Sequence, residues 1–104
     1  MPYLRFKGFP RGDVEQLAPL VVEEFAHIVK VPKEIVKIEL LPVEPILNSP
    51  LSVEILMFPR EQAIHNDVAA RLHSLLEEYG HSRVHIFFML LNRALYYKEG
   101  QPLE

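Results

Sequence analysis

Residues 1–7, with the sequence MPYLRFK, alternate strictly between two kinds of side chain, and the rest of the chain is organised around them. In an extended segment Tyr3 and Arg5 point to one face, and Leu4 and Phe6 point to the other. Such alternation of residues that favour β-structure predicts a strand. The proline at position 2 cannot donate a hydrogen bond to a neighbouring strand, so the head of a strand suits it.

The amino terminus offers a chemical function of its own. If Met1 is removed, Pro2 becomes a secondary amine held at the start of a strand. An α-amino group has an ordinary pKa of about 7.7–8.0, and burial lowers that pKa because it disfavours the charged form. Such an amine is a general base near neutral pH. If Met1 stays, the Pro2 nitrogen is an amide and cannot act as a base, and many chains begin Met-Pro for no chemical reason.

Composition narrows the classes of partner. A chain of 104 residues suits a single domain. No apolar run approaches the roughly 18 residues that span a bilayer, so we expect a soluble, cytoplasmic protein without membrane contact. The net charge of −3, with no cluster of lysine or arginine, offers no surface for nucleic acid. Without cysteine the chain has no disulfides or thiolate metal sites. Small molecules and other proteins remain as partners.

Two segments have the three- and four-residue apolar spacing of helices. The first begins at Asp13, a good N-cap residue, and ends before Pro32. Pro19 lies inside it and either bends the helix or opens its regular part. The second helix follows Pro59 and ends at Gly80. The sequence thus predicts two amphipathic helices.

Strand patterns flank these helices. Residues 35–43 and 51–58 are mainly alternating, whereas 84–91 form a continuous apolar run. A continuous run is typical of a strand covered on both faces, so we expect 84–91 to be central in its sheet. Residues 94–97 fit a short final strand or ribbon.

The order of elements is two successive βαβ units and a short extra strand. The tripeptide Phe-Pro-Arg at 9–11 and again at 58–60 supports a duplication. Each crossover is right-handed with parallel strands, so we predict an α/β fold with one four-stranded mixed sheet and both helices on one face. The other face then carries Phe87, Met89 and Leu91. Such a patch is unusual on a monomer and indicates self-association.

Over its whole length the chain resembles the tautomerase superfamily, which includes macrophage migration inhibitory factor and oxalocrotonate tautomerase. The Met-Pro start, the tandem βαβ halves, the chain length and the short extra strand carry the resemblance. Segments 2–6, 53–62 and 93–100 look like an uncharacterised bacterial branch of it. The resemblance implies a homotrimer with Pro2 as catalytic base in a pocket between subunits, a small anionic enol or α-keto acid as substrate, and neither metal nor organic cofactor.

The resemblance fails at the residues that hold the substrate in better-known members. Val31 stands where the migration inhibitory factor has a pocket lysine, and Lys30 and Lys33 are displaced from that position. His85 and Phe87 stand where a tyrosine and an asparagine are expected. Of the family's site, the resemblance therefore carries over only the proline.

Without the pocket lysine, an arginine would have to supply the positive charge that holds the substrate carboxylate. We predict that Arg60 or Arg93, both at strand ends, holds the substrate carboxylate and that Tyr96 hydrogen-bonds to the substrate. A solvated surface charge at each arginine and an interface role for the tyrosine are the alternatives. The competing function is a non-catalytic trimeric binding or structural protein of the same fold.

The five histidines are dispersed and match no metal-binding spacing, so we predict no metal site. His65 and His73 are expected to face solvent on the second helix.

Overall fold

Helices and strands alternate in the predicted order. The computed structural model describes residues 1–103. The main strands are β1 (Tyr3–Lys7), β2 (Lys37–Leu41), β3 (Leu51–Met57) and β4 (Val84–Leu90), and the helices are α1 (Arg11–Val29) and α2 (Gln62–Glu78). Short 3₁₀ turns lie at Lys33–Ile35 and Arg93–Leu95, and a hairpin of β5 (Tyr97–Lys98) and β6 (Gln101–Pro102) follows.

The four main strands form one mixed sheet in the order β2-β1-β3-β4. β1 is parallel to β2 and β3 is parallel to β4, and the two halves join where β1 runs antiparallel to β3. Both helices pack on the same face of the sheet. The predicted α/β class with tandem βαβ units, a four-stranded mixed sheet and two helices on one face is confirmed.

Alternation in β1 and β3 sorts their side chains between the two faces. Leu4 and Phe6 of β1 are fully buried against the helices, as are Val53 and Ile55 of β3. Burial of each such side chain contributes about 1.5–3 kcal/mol. The same face buries the ring of Pro2, so the hydrophobic core fixes the position of the amino-terminal segment.

The centre of the opposite face is an ion-pair network, which the sequence did not predict. Arg5 Nε lies 3.0 Å from Glu39 Oε1, and Arg5 Nη1 lies 3.9 Å from Glu54 Oε1. Lys7 Nζ lies 3.1 Å from Glu54 Oε2. The four charges occupy three adjacent strands and neutralise one another.

β4 is an edge strand, which corrects the prediction that it is central. In residues 1–103 it pairs only with β3. Ile86 and Phe88 on the helix side are half-buried, whereas Phe87 and Met89 on the other side are 41% and 48% exposed. A strand that is apolar on both faces but covered on one leaves an apolar strip at the edge of the sheet.

α1 begins at Arg11, two residues before the predicted start, with Pro10 as its N-cap residue. Asp13 therefore lies in the first turn and does not cap the helix. Its Oδ2 lies 2.7 Å from His81 Nε2, which ties the start of α1 to the loop before β4. Pro19 lies inside the helix, as the sequence allows.

One prediction about α2 is wrong. His65 is only 8% exposed and packs edge-on against Phe88, with the ring centroids 4.5 Å apart. It lies one turn into the helix, on the side that faces β4. His73, also expected to face solvent, is half-buried, and its Nε2 contacts the Ser82 carbonyl oxygen at 2.9 Å. Gly80 has φ +88°, a conformation that favours glycine after a helix.

The predicted extra strand is a hairpin that begins three residues later than expected. The Leu103 amide donates to the Tyr96 carbonyl oxygen at 3.2 Å and closes the hairpin base. In residues 1–103 neither helix has the length and apolar character needed to cross a membrane.

Candidate functional site

The amino terminus lies at the end of the sheet where β1 and β2 start and β3 finishes. Parallel pairing places Tyr3 opposite Lys37, and the Lys37 amide donates to the Pro2 carbonyl oxygen at 3.0 Å. The antiparallel register of β1 with β3, continued by two residues, places Phe58 opposite Met1. Pro2 thus lies between the start of one strand and the end of another.

The α-amino group of Met1 is a weak base at this position. Its pKa is lowered from 8.0 to about 5, first because burial disfavours the charged form. A hydrogen bond with the Lys37 side chain and the positive charges of Lys37 and Lys98 lower the pKa further. The Met1 amine is therefore neutral at physiological pH.

Three aromatic side chains lie in contact beside this amine and have a cation at each end. Lys37 Nζ lies 4.9 Å from the Tyr3 ring centroid, and the Tyr3 hydroxyl lies 3.4 Å from that of Tyr96. The Tyr96 ring packs edge-on against Phe58 at 5.7 Å, and Arg93 Cζ lies 5.1 Å from the Phe58 centroid. Tyr3, Tyr96 and Phe58 are named the aromatic row.

The middle of the aromatic row is a hydrogen-bond donor. The contact with the Tyr3 hydroxyl, and secondarily burial, raises the pKa of Tyr96 to about 12. Tyr96 therefore keeps its proton at neutral pH and can donate it to an oxygen in this region.

The three predicted substrate-binding residues meet around Phe58. Arg93 and Tyr96 contact its ring, and Arg60 Nη1 lies 3.4 Å from its carbonyl oxygen. The Arg60 amide donates to Nε2 of the buried His65 at 3.1 Å. This hydrogen bond anchors the segment between β3 and α2 on α2 and so fixes the backbone position of Arg60.

Sequence reasoning missed the cations nearest the amine. Lys37 and Lys98 both influence the terminal amine, whereas Lys30 and Lys33 were the lysines considered from the sequence. The predicted parallel pairing of β1 and β2 could have indicated Lys37, because it brings the starts of the two strands together. Identifying Lys37 in particular required the register of β1 with β2, which the sequence alone does not fix.

Four of these cations have no acidic partner. Among residues 1–103, ion pairs with carboxylates occupy Arg5, Lys7, Arg11, Lys33 and Arg71. None involves Lys37, Arg60, Arg93 or Lys98 in that part of the chain. The same residues contain no group of three or more histidine, aspartate or glutamate side chains placed to bind a metal ion. The site is therefore electropositive in a chain whose net charge is −3.

The fold is that of the tautomerase superfamily. A solved structure of a macrophage migration inhibitory factor homologue from Prochlorococcus marinus superposes with a TM-score of 0.80 at 17% identity, covering 98% of this chain and 99% of that chain. At that identity the likeness shows the fold alone.

The chain belongs to the family described as "Domain of unknown function (DUF1904)", whose model matches residues 1–102. A protein of unknown function from Vibrio cholerae O1 biovar eltor is 25% identical, with a TM-score of 0.91 and coverage of 98% of this chain and 87% of that one. A DUF1904 domain from Sebaldella termitidis is 21% identical, with a TM-score of 0.89 and coverage of 96% and 97%. No curated protein matches the chain.

The lowered pKa of the α-amine predicts a pH dependence of stability for protein that retains Met1. Between about pH 8 and about pH 5 the unfolded chain binds a proton at this amine and the folded chain does not. The free energy of unfolding therefore falls as the pH drops through that window. Lys37→Met removes a hydrogen bond and a charge, so we expect it to weaken this dependence. Urea unfolding across the window measures the difference.

The matched control is Lys98→Met, which removes a charge but no hydrogen bond to the amine. We expect it to change the pH dependence less than Lys37→Met does. Identical pH profiles for wild type and Lys37→Met would contradict the assigned cause of the lowered pKa.

Proposed function

We propose that this protein is a tautomerase-like isomerase that moves a proton in a small anionic enol or α-keto acid, with the amine of Pro2 as general base once Met1 is removed. The observation that supports this most is the position of Pro2, whose ring is fully buried at the head of β1, next to a Met1 amine with a lowered pKa. Loss of Met1 makes the Pro2 nitrogen a free amine at this end of the sheet, and the buried ring holds it in place.

The proposed step is a proton transfer without net oxidation. The Pro2 amine accepts the hydroxyl proton of the enol, and the electron pair of that O–H bond forms the carbonyl. The π electron pair of the carbon–carbon double bond then forms a C–H bond at the carbon next to the new carbonyl. The proton for that bond comes from the Pro2 ammonium, which returns to the free amine. In this proposal the Tyr96 hydroxyl hydrogen-bonds to the substrate oxygen, and the positive charges of Arg60, Arg93 and Lys37 attract the anionic substrate.

Two further solved structures of this fold add support. One, described as malonate semialdehyde decarboxylase, is 14% identical with a TM-score of 0.74, and was solved as wild type, as an alanine mutant of a proline numbered one, and in inactivated form. The other, a fused 4-OT described as an asymmetric trimer, is 14% identical with a TM-score of 0.79. The proline at position one of the first and the trimeric assembly of the second are parts of the proposal for this chain.

The proposal includes a homotrimer, because the apolar strip at the β4 edge needs a covering surface. A non-catalytic trimeric binding protein is the second candidate. It is favoured by one feature of the sequence: Val31 stands where the resemblance implies a pocket lysine.

One set of measurements on untagged protein distinguishes the isomerase from the non-catalytic binding protein. Intact mass identifies the processed form, and ultraviolet absorbance follows conversion of phenylenolpyruvate to its keto form. We expect the processed form to accelerate conversion and the Met1-retaining form to give none of the Pro2-dependent rate. Sedimentation of the processed form at micromolar concentration is expected to give a trimer. A processed protein with no activity on enol acids favours the binding module, and a monomer contradicts the assembly.

A further inference from the structure

The buried side chain of His65 is fixed in one tautomer by the segment before α2. The Arg60 amide donates to His65 Nε2 at 3.1 Å. A ring nitrogen that accepts a hydrogen bond carries no proton, so the proton of the neutral imidazole is on Nδ1. Nδ1 is buried and has no hydrogen-bond partner among residues 1–103. The arrangement thus belongs to the neutral ring, which holds Arg60 through its one unprotonated nitrogen.

A second proton on the ring is incompatible with this arrangement. The protonated imidazole donates at both nitrogens and accepts at neither, so its Nε2–H would face the Arg60 N–H. The Arg60 amide then loses its partner, and the ring, which packs against Phe88, has two unsatisfied buried donors. Buried donors without partners are destabilising. The protonated ring therefore has to leave its position, or the segment that carries Arg60 has to move.

A groove of about 220 Å³ beside His65 gives the ring a second position. Apart from His65 its lining residues are uncharged, and they are Gln62, Asn66 and Ala69 of α2 and Phe88 and Leu90 of β4. The Gln62 side-chain nitrogen donates to Asn66 Oδ1 at 3.0 Å. That bond leaves the Gln62 side-chain oxygen to accept a hydrogen bond from a ring that turns into the groove.

The charged groups on the neighbouring elements do not pair with His65 in residues 1–103. The segment before α2 carries Arg60 and Glu61, which form no ion pair in that part of the chain. On α2 itself, Asp67 lies on another surface, beside Arg71. On β4 the titratable residue is His85, which lines a different pocket with Phe87. No carboxylate therefore holds a protonated His65 in its present position.

Release of the Arg60 backbone also moves its guanidinium. Arg60 Nη1 lies 3.4 Å from the carbonyl oxygens of both Phe58 and Pro59, so the side chain is folded back on its own segment. The end of β3 is fixed separately, because the Leu91 amide donates to the Met57 carbonyl oxygen at 2.8 Å. The hydrogen bond to His65 is thus the side-chain contact that sets the position of Arg60 relative to α2.

We propose that His65 is a proton-operated latch on Arg60. The neutral ring holds the Arg60 amide, and the protonated ring turns into the groove between α2 and β4 and releases it. His65 touches no substrate in this proposal and is a positioning residue. The latch is a property of the folded chain alone, whereas its effect on turnover rests on the proposed function.

Nuclear magnetic resonance of ¹⁵N-labelled protein tests the latch without a substrate. An N–H···N hydrogen bond gives a scalar coupling between its two nitrogens, and we expect one between the Arg60 amide and His65 Nε2 at about pH 8. Histidine ordinarily changes charge between about pH 5 and 8. Across this range we expect the coupling to disappear and the Arg60 amide shift to change with the same midpoint as the His65 ring. A ring that carries its proton on Nε2 at pH 8, a coupling that persists at pH 5, or a ring still neutral there overturns the latch.

Three variants assign the response to His65. In His65→Gln the side-chain oxygen accepts from the Arg60 amide but does not titrate, so the Arg60 shift is expected to be independent of pH. His65→Leu has no acceptor and is expected to give the released shift at both ends of the range. His73→Gln removes a half-buried histidine further along the same helix and is expected to keep the wild-type response. A wild-type response in His65→Gln contradicts the proposal.

Turnover by the processed protein tests the effect on the site. A freed Arg60 must be ordered again when an anion binds, so KM for phenylenolpyruvate is expected to rise about two- to tenfold from pH 8 to pH 5 in wild type. The rise should be smaller in His65→Gln. Protonation of the Pro2 amine acts on both proteins alike. The same pH dependence of KM in both overturns the role of the latch in substrate binding, whereas a latch seen by magnetic resonance without any conversion contradicts only the proposed function.

Discussion

Processed protein with the substitution Pro2→Ala is expected to convert phenylenolpyruvate at least about 10²-fold more slowly than processed wild type. A positioned general base contributes about 10²–10⁴-fold to a rate. Alanine leaves a primary amine but has no pyrrolidine ring. In Pro2 that ring fixes the backbone angle φ and is buried against the core. The amine then samples several orientations, so it spends less time facing the reacting carbon.

The control for Pro2→Ala is the substitution of a proline that lies away from the site. Pro10→Ala is the matched control, because Pro10 is exposed and lies past the far end of β1 as the N-cap residue of α1. Intact mass must show Met1 removed in all samples, and thermal unfolding must show them folded. Equal rates for processed wild type and Pro2→Ala would contradict the role of Pro2 as general base, whatever the substrate-binding residues do.

The sequence predicted the fold well because the fold depends on local patterns. The strands β1 and β3 and the two helices each follow from the period of their apolar side chains, and the predicted shared face of Leu4 and Phe6 is the buried face of β1. The position of β4 in the sheet does not follow from period. A strand with apolar residues on both faces is central in some sheets and an interface edge in others, and the pattern is the same in both cases.

The site was predicted less completely because it depends on register and on nonlocal packing. Arg60, Arg93 and Tyr96 meet around Phe58 as neighbours in space, although 32 residues separate the first arginine from the 3₁₀ turn that starts at Arg93. Lys37 reaches the amine only because β2 is parallel to β1. His65 was expected on the surface because its polarity suggested solvent, yet the packing of α2 against β4 buries it.

Phe58→Ala is expected to lower the free energy of unfolding by about 3–5 kcal/mol, the usual cost of removing a buried phenylalanine side chain. That is a large share of the roughly 5–15 kcal/mol that stabilises a domain. The ring is 5% exposed and supports both Arg93 and Tyr96. Its loss leaves a cavity in the aromatic row itself, so the site loses its support as the domain loses stability.

The duplicated Phe-Pro-Arg tripeptide supplies the control. Phe9 is also 5% exposed and packs edge-on against Phe6 at 5.4 Å and His81 at 5.3 Å, on the far side of β1 from the amino terminus. Urea unfolding at one fixed protein concentration is expected to show similar losses for Phe9→Ala and Phe58→Ala. The milder pair Phe9→Leu and Phe58→Leu keeps the protein folded and tests the site, because only Phe58→Leu removes the ring that Arg93 stacks on.

We therefore expect Phe58→Leu to raise KM for phenylenolpyruvate several-fold and Phe9→Leu to leave it near the wild-type value. Loss of stacking frees the Arg93 guanidinium, which must then be ordered again when the carboxylate binds, and that ordering cost appears in KM. If both leucine variants changed KM equally, the effect would come from general softening of the core. The aromatic row would then have no separate part in holding the substrate.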